Sequence, residues 1–275
     1  QAIHEAVQHV GEYPDITAAA LTEAVSRMLS GECGREIPKE YLLFGNGASE
    51  LFLAVVHALK PRNIVIPVPS FYGYEYVAEA AGSYIKYVYL PEETGFRPGR
   101  ELLQELTADT DMLFVANPNN PTGQLMGREY LQELLEHCRQ QGITVVVDEC
   151  FIEFCESGRE QPKFLLGEIG QYENLLLARA FTKSFAMPGV RLGYLVCSNA
   201  ELREKIRRQL PEWNLSVFAQ RAGIACAEQS EQYLQDTVEY VKNEREYLWE
   251  GLEKLGIRVV SGDCLLYTSP SPRDY

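Results

Sequence analysis

Residues 111–149 read DMLFVANPNNPTGQLMGREYLQELLEHCRQQGITVVVDE, and this stretch decides the fold. Asp111-Met-Leu-Phe-Val-Ala116 is an apolar run of strand length, 128–141 repeats apolar residues at helical spacing, and Ile143-Thr-Val-Val-Val147 is a second continuous apolar run. A strand without polar alternation is covered on both faces, and two such strands joined through a helix lie parallel. Each strand then runs into polar residues: Asn-Pro-Asn-Asn-Pro-Thr-Gly123 after the first, Asp148-Glu149 after the second. In open α/β sheets, ligands bind at the carboxyl ends of the strands. Two prolines among three asparagines fix the backbone there and present side-chain amides as donors.

The same alternation extends in both directions. Upstream, helical patterns at 16–29, 48–59, 72–81 and 100–106 flank strand candidates at 41–44, 63–66 and 84–90. Pro61, Pro67 and Pro69 punctuate the second of these strands. Downstream, strands are expected at 174–177 and 192–196, helices at 200–210, 215–229 and 233–255, and a last strand at 257–260. The expected architecture is a three-layer α/β/α domain with a mostly parallel sheet. Residues 1–230 would form this large domain, incomplete at its N-terminal side, and 231–263 an interdomain helix and the start of a small C-terminal domain.

Composition bounds what such a domain can do. The chain has 275 residues, with 25 Lys and Arg against 39 Asp and Glu and a formal charge of −14. Sequence-independent binding to nucleic acid or to anionic membrane needs the opposite sign. No apolar run approaches the ~18 residues of a membrane span, and the opening QAIHEAVQHV lacks a signal-peptide layout, so a cytoplasmic protein is expected. The seven cysteines are scattered and odd in number, without CxxC spacing, and the four histidines are isolated. Free thiols and no metal site are expected. The first residue is Gln1 rather than Met, and Cys264-Leu-Leu-Tyr-Thr-Ser-Pro-Ser-Pro-Arg-Asp274 resembles a translated sequencing adaptor residue for residue. Residues 264–275 are therefore expected to be a non-native tail and are set aside from the fold.

Two further segments carry chemistry. Phe44-Gly-Asn-Gly-Ala-Ser-Glu50 is a glycine turn entering a helix, where free N–H groups and the positive dipole end can hold a phosphate. Taken alone it is equally an ordinary turn. Arg179-Ala-Phe-Thr-Lys-Ser-Phe-Ala-Met-Pro-Gly-Val-Arg-Leu-Gly-Tyr194 places a hydroxyl before Lys183 and a second cation, Arg191, at the start of a strand. In this order, the four segments resemble fold type I pyridoxal 5′-phosphate enzymes of the class I/II aminotransferase family, from Tyr13 to about Asp263.

The resemblance implies a role for each matching residue. Lys183 would condense with the cofactor aldehyde and afterwards act as general acid and base. Asp148 would pair with the pyridine nitrogen, Asn120 would donate to the phenolic oxygen, and Phe71 would stack on the ring. The N–H groups of Ala48 and Ser49, the Thr182 hydroxyl and the Arg191 guanidinium would hold the phosphate, with Arg179 close by. Tyr13 would reach the phosphate of a neighbouring subunit, which implies a homodimer with shared active sites. Family members also carry an N-terminal Asn-Pro segment and a C-terminal substrate-binding Arg, and neither is present in this sequence. The chain as written is therefore expected to turn over poorly.

Two branches of the family fit, both taking a small phosphorylated amino-acid-like substrate. One decarboxylates L-threonine O-3-phosphate in cobalamin biosynthesis, and the other transfers the amino group of histidinol phosphate. Phe151 stands where the aminotransferase pattern has a tyrosine, Pro188-Gly-Val-Arg-Leu-Gly-Tyr194 is closer to the decarboxylase, and so is the Trp-Asn pair of Leu210-Pro-Glu-Trp-Asn-Leu-Ser216. The decarboxylase is the favoured expectation. A non-catalytic relative is the third possibility, against which the intact Lys183, Asp148 and Arg191 argue.

Overall fold

The computed structural model describes residues 1–155, 163–260 and 262–266. Its helices are α1 (Ala2–Ala6), α2 (Ala19–Cys33), α3 (Ala48–Leu59), α4 (Gly73–Ala80), α5 (Arg100–Glu105), α6 (Arg128–Gln141), α7 (Phe164–Glu168), α8 (Phe181–Ser184), α9 (Ala200–Arg207), α10 (Val217–Glu228) and α11 (Ser230–Lys254). The strands are β1 (Leu42–Gly45), β2 (Asn63–Val68), β3 (Tyr84–Tyr89), β4 (Met112–Ala116), β5 (Thr144–Asp148), β6 (Leu175–Ala180) and β7 (Gly193–Val196). They form one sheet in the order β1-β7-β6-β5-β4-β2-β3.

Strand direction decides where the functional segments go. β7 is antiparallel to both β6 and β1, and the other adjacent pairs are parallel. Because β7 alone runs backwards, its first residue, Gly193, lies beside the last residues of its neighbours, Gly45 and Ala180. Asp148 closes β5 opposite Ala116 and Ala178. One edge of the sheet thus collects the ends of β1, β2, β4, β5 and β6 and the beginning of β7.

Helices cover both faces. On one, Leu21, Val25 and Leu29 of α2, Leu131, Leu134 and Leu135 of α6 and Ala219 of α10 pack on Val145, Val147, Leu175 and Leu177. On the other, Leu51, Phe52 and Val55 of α3, Tyr74 and Val77 of α4 and Ile206 of α9 meet Phe114, Val146, Leu176 and Leu195. Odd residues of β5 face α2 and even ones face α3, as strand geometry requires. This is the three-layer α/β/α arrangement with a mostly parallel sheet.

Two segments differ from the sequence expectation. Residues 257–260, expected as the first strand of a smaller domain, form no strand. Of the segment set aside as a tail, Cys264 is buried against Leu125, Ile152, Phe154 and Cys155, because it and the two following leucines offer apolar cover to that cluster. The neighbouring Asp263 N–H donates to Gly123 O at 2.7 Å, and its carboxylate accepts from Leu125 N at 2.9 Å. Residues 267–275 lie outside the described residues.

Candidate active site

Asp148 is the centre of the sheet edge. It is 8% exposed, with Oδ2 accepting from Tyr74 Oη at 2.7 Å and Oδ1 from Cys150 N at 2.9 Å. Burial raises its pKa above the ordinary aspartate value, while the bonds from Cys150 and Tyr74 pull it back. Tyr74 is itself fully buried, stacked on Phe114 at 5.2 Å and edge-on to Phe52 at 5.5 Å. Its phenol is held far above its usual pKa by burial and by the Asp148 charge, so it stays a donor. Sequence reading missed Tyr74; the available signal was a tyrosine three residues beyond Phe71 on a helix packed beneath the sheet edge.

The asparagine loop divides its labour. Asn117 Oδ1 accepts from Met126 N at 2.8 Å, and Asn119 Nδ2 donates to Pro69 O at 3.1 Å and to Thr122 Oγ1 at 2.9 Å. These two brace the loop. Asn120 has no side-chain hydrogen bond among the described residues, and its half-buried amide remains available to a ligand. Phe71 is half-buried near the start of α4, edge-on to Tyr74 at 5.5 Å.

Lys183 lies in the single turn of α8, directly after β6. Its side chain is exposed and makes no ion pair among the described residues, and Nζ stands over the Phe151 ring at 5.8 Å. Thr182, one residue earlier, is buried.

A cradle forms where β1 turns into α3. Gly47 has φ +79°, and a Cβ there would meet Arg191 Nη2 at 2.5 Å. A Cβ on Gly193 would meet Ala48 N at 2.6 Å. Glycine is required at both because turn, guanidinium and β7 are in near-contact. Arg191 donates to Asn46 O at 3.3 Å and to Pro188 O at 3.0 Å, fixing its planar head beside the first turn of α3. The first N–H groups of that helix, including those of Ala48 and Ser49, have no intrahelical acceptor. Gly193 was the second residue that sequence reading passed over. Tyr13 is 83% exposed, with its ring 5.2 Å from that of Trp213.

Arg179 corrects the expectation that it lies close to the phosphate. Asp148 pairs with Ala178 in register, and the next side chain on β6 points to the opposite face. There the 2%-exposed guanidinium bonds Glu149 at 2.8 Å and Glu32 of α2 at 2.8 Å, with Glu153 at 3.6 Å. Burial is the largest effect on Glu149 and pushes it up to about 7, against the pull of Arg179. Arg179 balances the buried Glu149 and the half-buried Glu32 and Glu153.

The chain matches the family model described as aminotransferase class I and II over residues 1–272. The chain belongs to this family. It is similar to a putative threonine-phosphate decarboxylase of Caldanaerobacter subterraneus subsp. tengcongensis, 36% identical over 90% of this chain and 65% of the relative. Threonine-phosphate decarboxylase of Salmonella typhimurium is 32% identical over 91% of the chain and 66% of the relative. The chain thus spans about two thirds of the length of these relatives. Among solved structures, histidinol-phosphate aminotransferase from Clostridium acetobutylicum superposes with a TM-score of 0.83 at 32% identity, covering 95% of this chain and 75% of that one.

Membership brings pyridoxal 5′-phosphate as the cofactor, and the residues at the sheet edge fit it. Among the described residues, a buried carboxylate suits a ring nitrogen, an amide without an internal partner suits a ring oxygen, and an amine free of ion pairs suits an aldehyde. The glycine cradle beside Arg191 suits a phosphate. Among the described residues no group of three or more His, Cys, Asp or Glu could hold a metal ion, and no helix is long and apolar enough to cross a membrane.

Proposed function

We propose that this chain is the cofactor-binding part of a pyridoxal-phosphate-dependent decarboxylase acting on L-threonine O-3-phosphate and releasing aminopropanol phosphate. The observation that carries the reading is the Phe151 ring beneath Lys183 Nζ at 5.8 Å. A tyrosine there would offer a hydroxyl to the cofactor oxygen and to the lysine; phenylalanine offers only a ring face. Two of the curated relatives bear the decarboxylase name.

In this reading Lys183 forms the covalent link to the cofactor, Asp148 pairs with its ring nitrogen, Asn120 donates to its ring oxygen and Phe71 covers its face. Ala48, Ser49, Thr182 and Arg191 hold the phosphate. The bound cofactor supplies the electron sink for whichever bond is broken at the substrate Cα. The protein would select that bond by orientation, through the residues that hold the substrate phosphate and carboxylate. In decarboxylation the electron pair left at Cα would be taken up by the bound cofactor, and Lys183 Nζ or a water would deliver the proton that replaces the carboxylate there. Amino transfer would instead have Lys183 remove the Cα proton. Tyr13 reaches the neighbouring phosphate site in a homodimer, residues 1–230 form the large domain, and 231–263 lead into a smaller one.

The test is L-threonine O-3-phosphate labelled at its carboxyl carbon, given to a protein carrying this chain together with the remaining length its relatives have. Labelled carbon dioxide is expected, with aminopropanol phosphate in equal amount. Absence of carbon dioxide, with amino transfer from histidinol phosphate or glutamate, would overturn the decarboxylase reading in favour of the aminotransferase branch.

A further inference from the structure

We propose that Asn214 is a positioning residue that braces the turn at Asn46, Gly47 and Ala48 so that it can receive a phosphate monoester. The inference rests on the reading above that this turn and Arg191 hold the cofactor phosphate.

Asn214 lies in the loop between α9 and α10, 168 residues beyond Asn46. Asn214 is tied to the end of β1 and its turn in both directions. Asn46 Nδ2 donates to Asn214 O at 2.8 Å, and Asn214 Nδ2 donates to Phe44 O at 3.0 Å, the last residue but one of β1. Between them stands Glu50, in the first turn of α3. Its Oε2 accepts from Asn46 N at 2.7 Å, from Asn46 Nδ2 at 3.2 Å and from Asn214 Nδ2 at 3.3 Å.

Two consequences follow for the phosphate. The first is geometric: Asn46 O is the acceptor for Arg191 Nη2 at 3.3 Å, so fixing Asn46 by its side chain fixes the guanidinium beside Gly47. The second is electrostatic. A carboxylate in the first turn of α3 repels an anion placed at that helix terminus, and the donors on Glu50 hold its charge toward the two asparagines. Asn214 supplies one of those donors and restrains the residue that supplies the others.

The loop itself is held against this purpose. Trp213 has φ +52°, an unfavourable conformation for a bulky side chain, and its ring packs on Tyr13 at 5.2 Å. Ser216 anchors the far end by capping α10, accepting from Ala219 N at 3.1 Å. The bonds of Asn214 to β1 and Glu50 anchor the near end.

The experiment compares pyridoxal 5′-phosphate with pyridoxal, which lacks the phosphate. Dissociation constants are read from the visible absorption that develops on condensation with Lys183, with folding checked by circular dichroism. Asn214→Ala should weaken binding of the phosphorylated form by about three- to tenfold, the indirect effect of losing the side-chain donations to Phe44 O and Glu50, and leave pyridoxal unchanged. Asn214→Asp, nearly isosteric, should lose more, because it sets a second carboxylate beside Glu50; it carries the test if the alanine variant does not fold. Arg191→Ala serves as reference and should also lose preference for the phosphorylated form. Loss in Arg191→Ala with the wild-type preference retained in both Asn214 variants overturns the brace alone. No loss in any of the three overturns the phosphate placement on which it rests.

Discussion

The hydroxyl of Tyr74 donates to Oδ2 of Asp148 at 2.7 Å, from a ring locked between Phe52 and Phe114 in the core. The acid at the end of β5 is thereby held on the side facing α3 and α4, and its charge is favoured by a donor that cannot ionise under ordinary conditions.

Tyr74→Phe removes that donor and keeps the packing. Stability should fall by about 1 kcal/mol, measured by denaturant unfolding. Burial already raises the Asp148 pKa and the Tyr74 bond lowers it, so the variant's Asp148 should sit higher still. Cofactor binding that needs the charged carboxylate should then fail at a higher pH in the variant than in the wild type. A titration of the visible band against pH reads this directly, and an unmoved acid limb would refute it.

Arg179 makes a structural prediction. Arg179→Ala leaves the buried Glu149 without its cation and Glu32 with only Lys163 at 3.9 Å, and should cost about 3–5 kcal/mol in unfolding free energy. The expected deficit is in folding, with no selective loss of phosphate affinity in any fraction that remains folded. A variant that folds normally and loses phosphate preference would return Arg179 to the phosphate.

Glu149 sets a pH dependence of stability. Its folded-state pKa of about 7 lies above the ordinary 4.5, so its favourable contribution is complete below about 4.5 and is lost as pH rises through about 7. Glu149→Gln cannot titrate. The stability of the wild type relative to Glu149→Gln should therefore decline between these two values, as read from unfolding curves across the range.

Gly193→Ala tests the cradle by volume. The new methyl would lie 2.6 Å from Ala48 N and against the backbone of Gly47, neither of which is a flexible side-chain end. A cost of about 1–3 kcal/mol is expected, together with weaker binding of the phosphorylated cofactor. Gly189→Ala, where the added carbon meets nothing within 4 Å, is the comparison and should be near neutral in packing.

Much of this arrangement was legible in the sequence, for physical reasons that differ by element. α3 and α6 match their expected limits residue for residue, because Lys60-Pro61 and Gly142 end them and apolar spacing marks their buried faces. The ends of β4 and β5, with Asn120 and Asp148, were legible because a buried parallel strand is a continuous apolar run. β2 runs two residues further than its prolines suggested, through Pro67 to Val68. The network around Arg179 was not legible, since Glu32 and Glu149 are 147 and 30 residues away and only strand alternation decides which face receives the guanidinium. Nor was the tie between Asn46 and Asn214, which depends on the reversed direction of β7 and on a loop with no periodicity.

The most direct measurement concerns Lys183. The chain is mixed with pyridoxal 5′-phosphate, reduced with borohydride so that the cofactor is fixed to the amine it has joined, digested, and its peptides are weighed by mass spectrometry. The expected result is one modified peptide carrying the cofactor mass on Lys183, lost in Lys183→Ala. Modification spread over other lysines at the same level, or unchanged in Lys183→Ala, would contradict the assignment of Lys183 as the residue that links the cofactor.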